Sequence, residues 1–264
     1  MLLLYDSPVS GNCYKARLLL AQLGSPCRRR SLDVADRSNR PEVLGGLNPA
    51  LRVPTLVLDD GRPLAESGAI LWYFGEGTRF VPDDPYERAQ VLQWMFFEQY
   101  DHEPSIAVVR FWLAYSGRPE QFADRIEERT AAGYRALDAM ERHLTGRAFL
   151  VGEAVRLADI ELYAYTHVAH EGGFNLTGRP AIQCWLARVA GQPGHVPTAG
   201  RPGRKADGEH GRSGVRRRGA DPAVVACWVA RPSGRPARRP HSHIDEPRCH
   251  QPCSDHSPAP VDPG

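Results

Sequence analysis

No apolar run in this 264-residue chain approaches the roughly 20 residues that a membrane-crossing helix needs, so no membrane partner is expected. The opening Met1-Leu2-Leu3-Leu4-Tyr5 lacks the charged leader and the longer apolar stretch of a secretory signal, and a cytoplasmic location is expected. Cysteine is sparse. Its six copies, Cys13, Cys27, Cys184, Cys227, Cys249 and Cys253, form no compact even framework, and in a reducing compartment they are thiols by default. A strong excess of one charge is also missing: the net charge is +2, with 21 basic against 24 acidic residues up to Pro197 and 12 against 7 beyond it. The folded part therefore has no electrostatic reason to seek nucleic acid.

Beyond Pro197 aromatic residues almost vanish, Trp228 being the only one, while Arg, Pro, Gly and His dominate. Such a segment cannot bury enough apolar surface to fold alone, and 198–264 reads as a disordered extension. His241, His243, Cys249, His250, Cys253 and His256 are the alternative there, as metal ligands, but their scatter is a poor match to zinc spacing. Arg216-Arg217-Arg218 has no aromatic neighbours and reads as solvated.

What is present begins at the N-terminus. Leu2-Leu3-Leu4-Tyr5 reads as a strand, Asp6-Ser7-Pro8-Val9-Ser10-Gly11-Asn12-Cys13 as a tight polar loop, and Tyr14 to Leu20 as a helix. Unpaired N–H groups and the partial positive charge of a helix start favour an anion beside Ser10: a carboxylate, a phosphate or a thiolate. A second strand over Cys27–Leu32, with Arg28-Arg29-Arg30 as a solvated edge, completes a βαβ unit and predicts two layers. Pro54, which follows β-branched Val53 and enters the strand Thr55-Leu56-Val57-Leu58, is a candidate cis peptide. Asp59-Asp60-Gly61 turns a hairpin, and Glu66-Ser67 opens a helix.

The segments S-P-V-S-G-N-C, N-P-x-x-R-V-P-T-L and L-A-E-S-x-A-I-L-W-Y, in that order, resemble the N-terminal domain of the glutathione S-transferase family, most closely its bacterial serine-type, theta-like or nu-like members. The resemblance implies an α/β plus all-α fold: a thioredoxin-like domain over 1–78, a linker over 79–85 and an all-helical domain over 86–197. Two amphipathic stretches fit the helical part, one from Tyr86 with Ala89, Leu92, Met95, Phe96 and Gln99 facing inward, one from Pro119 to His143 with Phe122, Ile126, Tyr134, Leu137 and Leu144 as its stripe. Leu157-Ala158-Asp159-Ile160 resembles the family's folding signature, with Arg156 where a Ser or Thr cap is usual; losing such a cap costs about 1 kcal/mol.

By the same resemblance, Ser10 holds the sulfur of glutathione, and Asn12 either caps the helix or faces the thiol. Cys13 is expected to pack inside, since its C-x-x-C partner is replaced by serine. Val53 offers its main chain to the cysteinyl part next to cis-Pro54, Arg52 reaches the glycyl carboxylate, and Glu66 and Ser67 take the ammonium and carboxylate of the γ-glutamyl end. Leu51 stands where a glycine is common. Gln99, Tyr100, His102, Glu103 and Arg110 fall near the expected electrophile pocket without an assigned role. The energetics suffice: lowering a thiol pKa near 8.5 by two units takes about 2.7 kcal/mol, a hydroxyl donor contributes about 1.5–3, and the helix end about 0.3–1. The implied activity is a glutathione transferase attacking a small electrophile, as a homodimer, with glutathione as co-substrate and no metal or other cofactor. The alternatives are a glutathione-dependent disulfide reductase and a noncatalytic glutathione-binding or protein-interaction module.

Overall fold

A computed structural model describes residues 1–198. The proposed extension and its candidate metal ligands therefore lie outside the described residues, apart from Thr198. The chain opens with β1 (Leu2–Asp6), α1 (Gly11–Gln22), β2 (Cys27–Ser31) and α2 (Arg40–Leu44). It continues with β3 (Thr55–Val57), β4 (Pro63–Ala65) and α3 (Ser67–Gly75). The sheet order is β2-β1-β3-β4, with β1 parallel to β2 and the other neighbours antiparallel, which is the thioredoxin-like arrangement. Alternation along β1 divides its side chains between two layers: Leu4 packs with Ala16, Leu56 and Ile70 under α1 and α3, whereas Tyr5 packs with Leu32 and Leu44 on the α2 side. Arg28, Arg29 and Arg30 are exposed on the edge strand, but the run is not simply solvated: Arg29 donates to buried Asp6 Oδ2 at 2.7 Å, and the Arg30 guanidinium lies over the Tyr5 ring.

The helical part comprises α4 (Pro85–Phe97), α5 (Glu103–Ala114), α6 (Ala123–Leu144), α7 (Leu157–Thr166) and α8 (Pro180–Ala190). A core built on Trp185, Ile160, Leu157, Met140, Ile106 and Val109 runs into Tyr14, Leu18 and Leu19 of α1, so α1 is shared by both layers of the molecule. Each such side chain contributes about 1.5–3 kcal/mol by leaving water. Between α3 and α4, Phe80 and Val81 are buried in the same core.

The inward face of α4 differs from the expected stripe. Val91, Trp94 and Met95 are buried, while Phe96 is 68% exposed and Ala89 and Gln99 also face out. The cause is a second apolar feature: Leu92, Met95 and Phe96 line a cleft with Trp72 and Tyr73 of α3, so the apolar stripe serves two surfaces. A further departure follows α4, where Glu98–His102 forms one π-helical turn before α5. Pro104 has no N–H to give to the preceding turn, which favours the wider winding. The extra width places Glu98 and His102 inside the protein.

At the start of α7, Asp159 accepts hydrogen bonds from the Arg156 N–H (2.8 Å), the Leu150 N–H (3.0 Å) and the Trp185 indole (2.8 Å). Arg156 has no acceptor atom to return the favour, so only the Asp half of a capping box exists; its guanidinium instead donates to the Arg79 carbonyl at 2.5 Å.

Candidate functional site

The peptide Val53–Pro54 is cis, as the sequence suggests. Leu51 lies at φ 53°, a left-handed conformation that glycine adopts freely and leucine at a cost of about 1–2 kcal/mol. The loop thus keeps the geometry a glycine would permit, with Leu51 packed against the Tyr5–Leu44 cluster and its carbonyl held by Arg40 at 3.1 Å. Glu66 lies at φ 66° immediately before α3, a second strained position of the kind found at ligand-binding turns.

Ser10 is the N-cap of α1. Its oxygen accepts from the Cys13 N–H at 3.3 Å, which leaves the hydroxyl proton free to donate. The Asn12 N–H is also engaged, donating to the Tyr165 hydroxyl at 3.2 Å. This alters the expectation of an anion cradle made from free backbone donors: two first-turn N–H groups have partners inside the protein. The Gly11 N–H has no acceptor among the described residues, and the other donors that remain are on side chains. Gly11 is required for this seat, because a Cβ there would meet the Tyr165 ring at 2.4 Å.

The loop before Ser10 is held by its carbonyls. Arg17, ion-paired with buried Asp6, donates to the carbonyls of Ser7 (3.2 Å) and Pro8 (3.1 Å), and Arg110 of α5 donates to that of Val9 (2.8 Å). Arg110 is itself fixed by Glu171 at 2.9 Å and Tyr115 at 2.9 Å.

Ser10, Asn12, Arg52 and Val53 line one cleft of about 390 Å³. Its far wall is α5, which contributes Ala107, Val108, Phe111 and Trp112 at helical spacing, with Tyr115 beyond. Ser67 is tied to the same place, its hydroxyl 3.4 Å from Asn12 Oδ1. Pro54 is buried beside Val53, and Glu66 is exposed immediately before Ser67. The predicted residues from three separate segments therefore converge. Of the residues left without a role, Glu103 and Arg110 line the cleft, Gln99 bridges carboxylates behind it, Tyr100 is 84% exposed, and His102 is buried against Thr166 at 2.9 Å. Burial holds His102 down to a pKa of about 3, so it is neutral at physiological pH.

Cys13 is fully buried, with its sulfur accepting from the Ser7 N–H at 3.3 Å. Burial, reinforced by the nearby Asp6 charge, pushes its thiol up to about 12. At neutral pH only about one molecule in 10⁵ carries that thiolate, so Cys13 packs and does not react. Alkylation of the native protein at mild pH is expected to label Cys27, which is partly exposed, well before Cys13. Peptide mapping reads the order, and equal rates would contradict the burial argument.

Sequence reasoning did not find Lys15. It is the fifth residue of α1, after a polar-looking start, yet its side chain is fully buried, with Nζ 2.8 Å from Glu98, 3.0 Å from Glu161 and 3.6 Å from Glu103. Burial alone would lower the Lys15 pKa, but the three carboxylates outweigh it and hold it well above the usual value. Burial pushes Glu98 and Glu161 upward against the pull of Lys15. Three carboxylates around one ammonium in a dry site disfavour full ionisation of this pair, and Glu98 Oε1 and Glu161 Oε2 have no hydrogen-bond partner among the described residues. No signal in the sequence identifies this cluster, since its members lie 83 and 146 residues from Lys15.

Comparison with known proteins places these features in context. The family model described as "Glutathione S-transferase, N-terminal domain" matches residues 4–78, and the corresponding C-terminal domain model matches 106–193. A glutathione S-transferase crystal structure from Pseudomonas fluorescens Pf-5 is 47% identical, with 75% of this chain and 98% of that one covered and a TM-score of 0.72. The disulfide-bond oxidoreductase YfcG of Escherichia coli is 28% identical over 73% of this chain and 92% of its own. Elongation factor 1-gamma of Artemia salina is 28% identical over 64% of this chain, which spans only 40% of that relative's length. Among the described residues no helix is long and apolar enough to cross a membrane.

Proposed function

The chain belongs to the glutathione S-transferase family, and from that premise we propose that it is a glutathione transferase in which Ser10 stabilises the glutathione thiolate. The observation that carries the reading is the convergence of Ser10, with an undirected hydroxyl proton, and Asn12, Arg52 and Val53 on one cleft. The Ser10 hydroxyl and an Asn12 amide N–H donate to the sulfur, Val53 pairs with the cysteinyl main chain, and Arg52 meets the glycyl carboxylate. Ser67 and Glu66, at the start of α3, take the carboxylate and ammonium of the γ-glutamyl end. The helix end adds its partial positive charge. The thiolate then attacks an electrophilic carbon, forming a C–S bond as the leaving group departs with its electron pair; the thiol proton has gone to solvent. The aromatic and aliphatic wall from Ala107 to Tyr115 supports an apolar electrophile.

A glutathione-dependent disulfide reductase is the second reading, supported by similarity to the oxidoreductase over nearly its whole length. There the thiolate attacks a disulfide sulfur, forms a mixed disulfide and releases a thiolate, and a second glutathione completes the exchange. Assembly as a cytoplasmic homodimer completes the proposal; exposed Phe96 and Tyr73 beside the apolar α3–α4 cleft are the supporting observation.

Calorimetric binding of glutathione followed by turnover with a chloronitrobenzene and with a mixed glutathione disulfide tests these readings. Binding with chloronitrobenzene turnover is the expected result, and turnover of the disulfide alone selects the second reading. Binding without either reaction would overturn both and leave a noncatalytic module.

A further inference from the structure

Glu103 is the first residue of α5, directly after the π-helical turn, and its side chain reaches into the cleft beside Asn12. Its Oε1 accepts from Asn12 Nδ2 at 2.6 Å, while its Oε2 accepts from Gln99 Nε2 at 2.9 Å and lies 3.6 Å from the ammonium of buried Lys15. On the other side of the amide, Asn12 Oδ1 is 3.4 Å from the Ser67 hydroxyl. A side-chain amide has one acceptor end and one donor end with two hydrogens. A carboxylate accepts only, so the donor end must face Glu103, and the acceptor end faces Ser67. One Nδ2 hydrogen remains for the cleft.

An amide turned the other way would present a lone pair to an anionic sulfur and repel it. Glu103 therefore decides whether Asn12 helps or hinders a thiolate. Its own negative charge, which would oppose the thiolate, is partly offset by the Lys15 ammonium 3.6 Å away, which Glu103 shares with Glu98 and Glu161. The π turn matters here because it brings Glu98 inward to share Lys15 and leaves Glu103 to face Asn12.

We propose that Glu103, anchored by Lys15 and Gln99, is a positioning residue that fixes the amide of Asn12 so that its free N–H points at the glutathione sulfur. The inference rests on the reading that this cleft holds the glutathione thiolate beside Ser10 and Asn12. Glu103 acts through Asn12, so its effect vanishes when Asn12 is absent.

The test titrates the thiolate absorbance of glutathione bound to the full chain and to Glu103→Ala, Glu103→Gln, Asn12→Ala and the Glu103→Ala/Asn12→Ala pair. Glu103→Ala is expected to raise the bound-thiol pKa by about half to one unit, three- to tenfold less thiolate in acid, with glutathione affinity for the protonated form unchanged. Glu103→Gln keeps an acceptor and is expected to stay within a few tenths of a unit. In the Asn12→Ala background, removing Glu103 is expected to add nothing. The proposal is overturned if Asn12→Ala raises the pKa and Glu103→Ala does not, or if the two effects simply add. If both Ser10→Ala and Asn12→Ala leave the pKa unchanged, the thiolate reading itself fails and the proposal falls with it. Amide NMR of the unaltered chain gives a measurement independent of variant folding: the Asn12 Nδ2 hydrogens, assigned by their loss in Asn12→Ala, are expected to resolve as one protected and one exchanging proton. Two rapidly exchanging protons would overturn the proposal.

Discussion

Ser10→Ala is expected to raise the pKa of the bound glutathione thiol by about one to two units, which is what losing a hydrogen bond of about 1.5–3 kcal/mol to a charged acceptor produces. The serine oxygen is already used by the Cys13 N–H, so the proton is its only free function, and alanine removes it without emptying a packed site. Turnover should fall by less than the thiolate fraction. A thiolate of higher pKa is intrinsically more nucleophilic, with a Brønsted slope of about 0.4–0.5, so roughly half of the loss on a logarithmic scale is recovered. Below pH 6 this amounts to about three- to tenfold. Alanine also deprives α1 of its N-cap, at about 1 kcal/mol of stability. Denaturation measured alongside separates that effect from the change in the thiol. A pKa unchanged by the substitution, with the protein still folded, would remove Ser10 from the mechanism.

The second large effect concerns stability. Asp159→Ala is expected to cost about 3–5 kcal/mol, because three donors, the N–H groups of Leu150 and Arg156 and the Trp185 indole, lose their common acceptor inside the core. A typical domain has only about 5–15 kcal/mol in total. The penalty also depends on pH. Burial raises the Asp159 carboxyl from 3.8 to about 6 against the pull of its three donors, so between those values the folded chain holds a proton that the unfolded chain has lost. The stability contributed by the protonated form is complete below pH 4 and is lost as pH rises through 6, by up to roughly 3 kcal/mol. The gap between wild type and Asp159→Ala in urea denaturation should therefore narrow from pH 4 to pH 7. A loss below about 1 kcal/mol at both values would contradict this account of the α7 start.

The sequence reveals the site where its determinants are local. A serine before a helix, a β-branched residue before a strand-entering proline, and Glu-Ser before an apolar helix each specify backbone geometry within a few residues. The cis peptide at Val53–Pro54 and the N-cap at Ser10 follow from those neighbours. Leu51 departs from the family pattern, yet the loop holds its left-handed turn because Arg40 and the Tyr5–Leu44 cluster fix it from outside. The features that sequence could not supply are those made by distant partners. Lys15 looks like any solvated lysine until α4, α5 and α7 close over it, and Phe96 looks like core because its second role, lining the α3–α4 cleft, depends on Trp72 and Tyr73. The π turn was equally hidden, since a hydrophobic pattern records an average helical period and not one wide turn. The expectation of free backbone donors at the helix start is met only in part for the same reason: Tyr165 arrives from 153 residues away to take the Asn12 N–H. With two of its backbone donors engaged, the helix start offers an anion chiefly the side chains of Ser10 and Asn12.

That point is open to one direct measurement, a pH titration of the thiolate absorbance of glutathione bound to the intact chain beside that of free glutathione. The predicted midpoint lies about two units below the ordinary thiol value near 8.5. A complex shown by calorimetry to be fully formed, whose thiol nevertheless titrates with the free tripeptide, would contradict it.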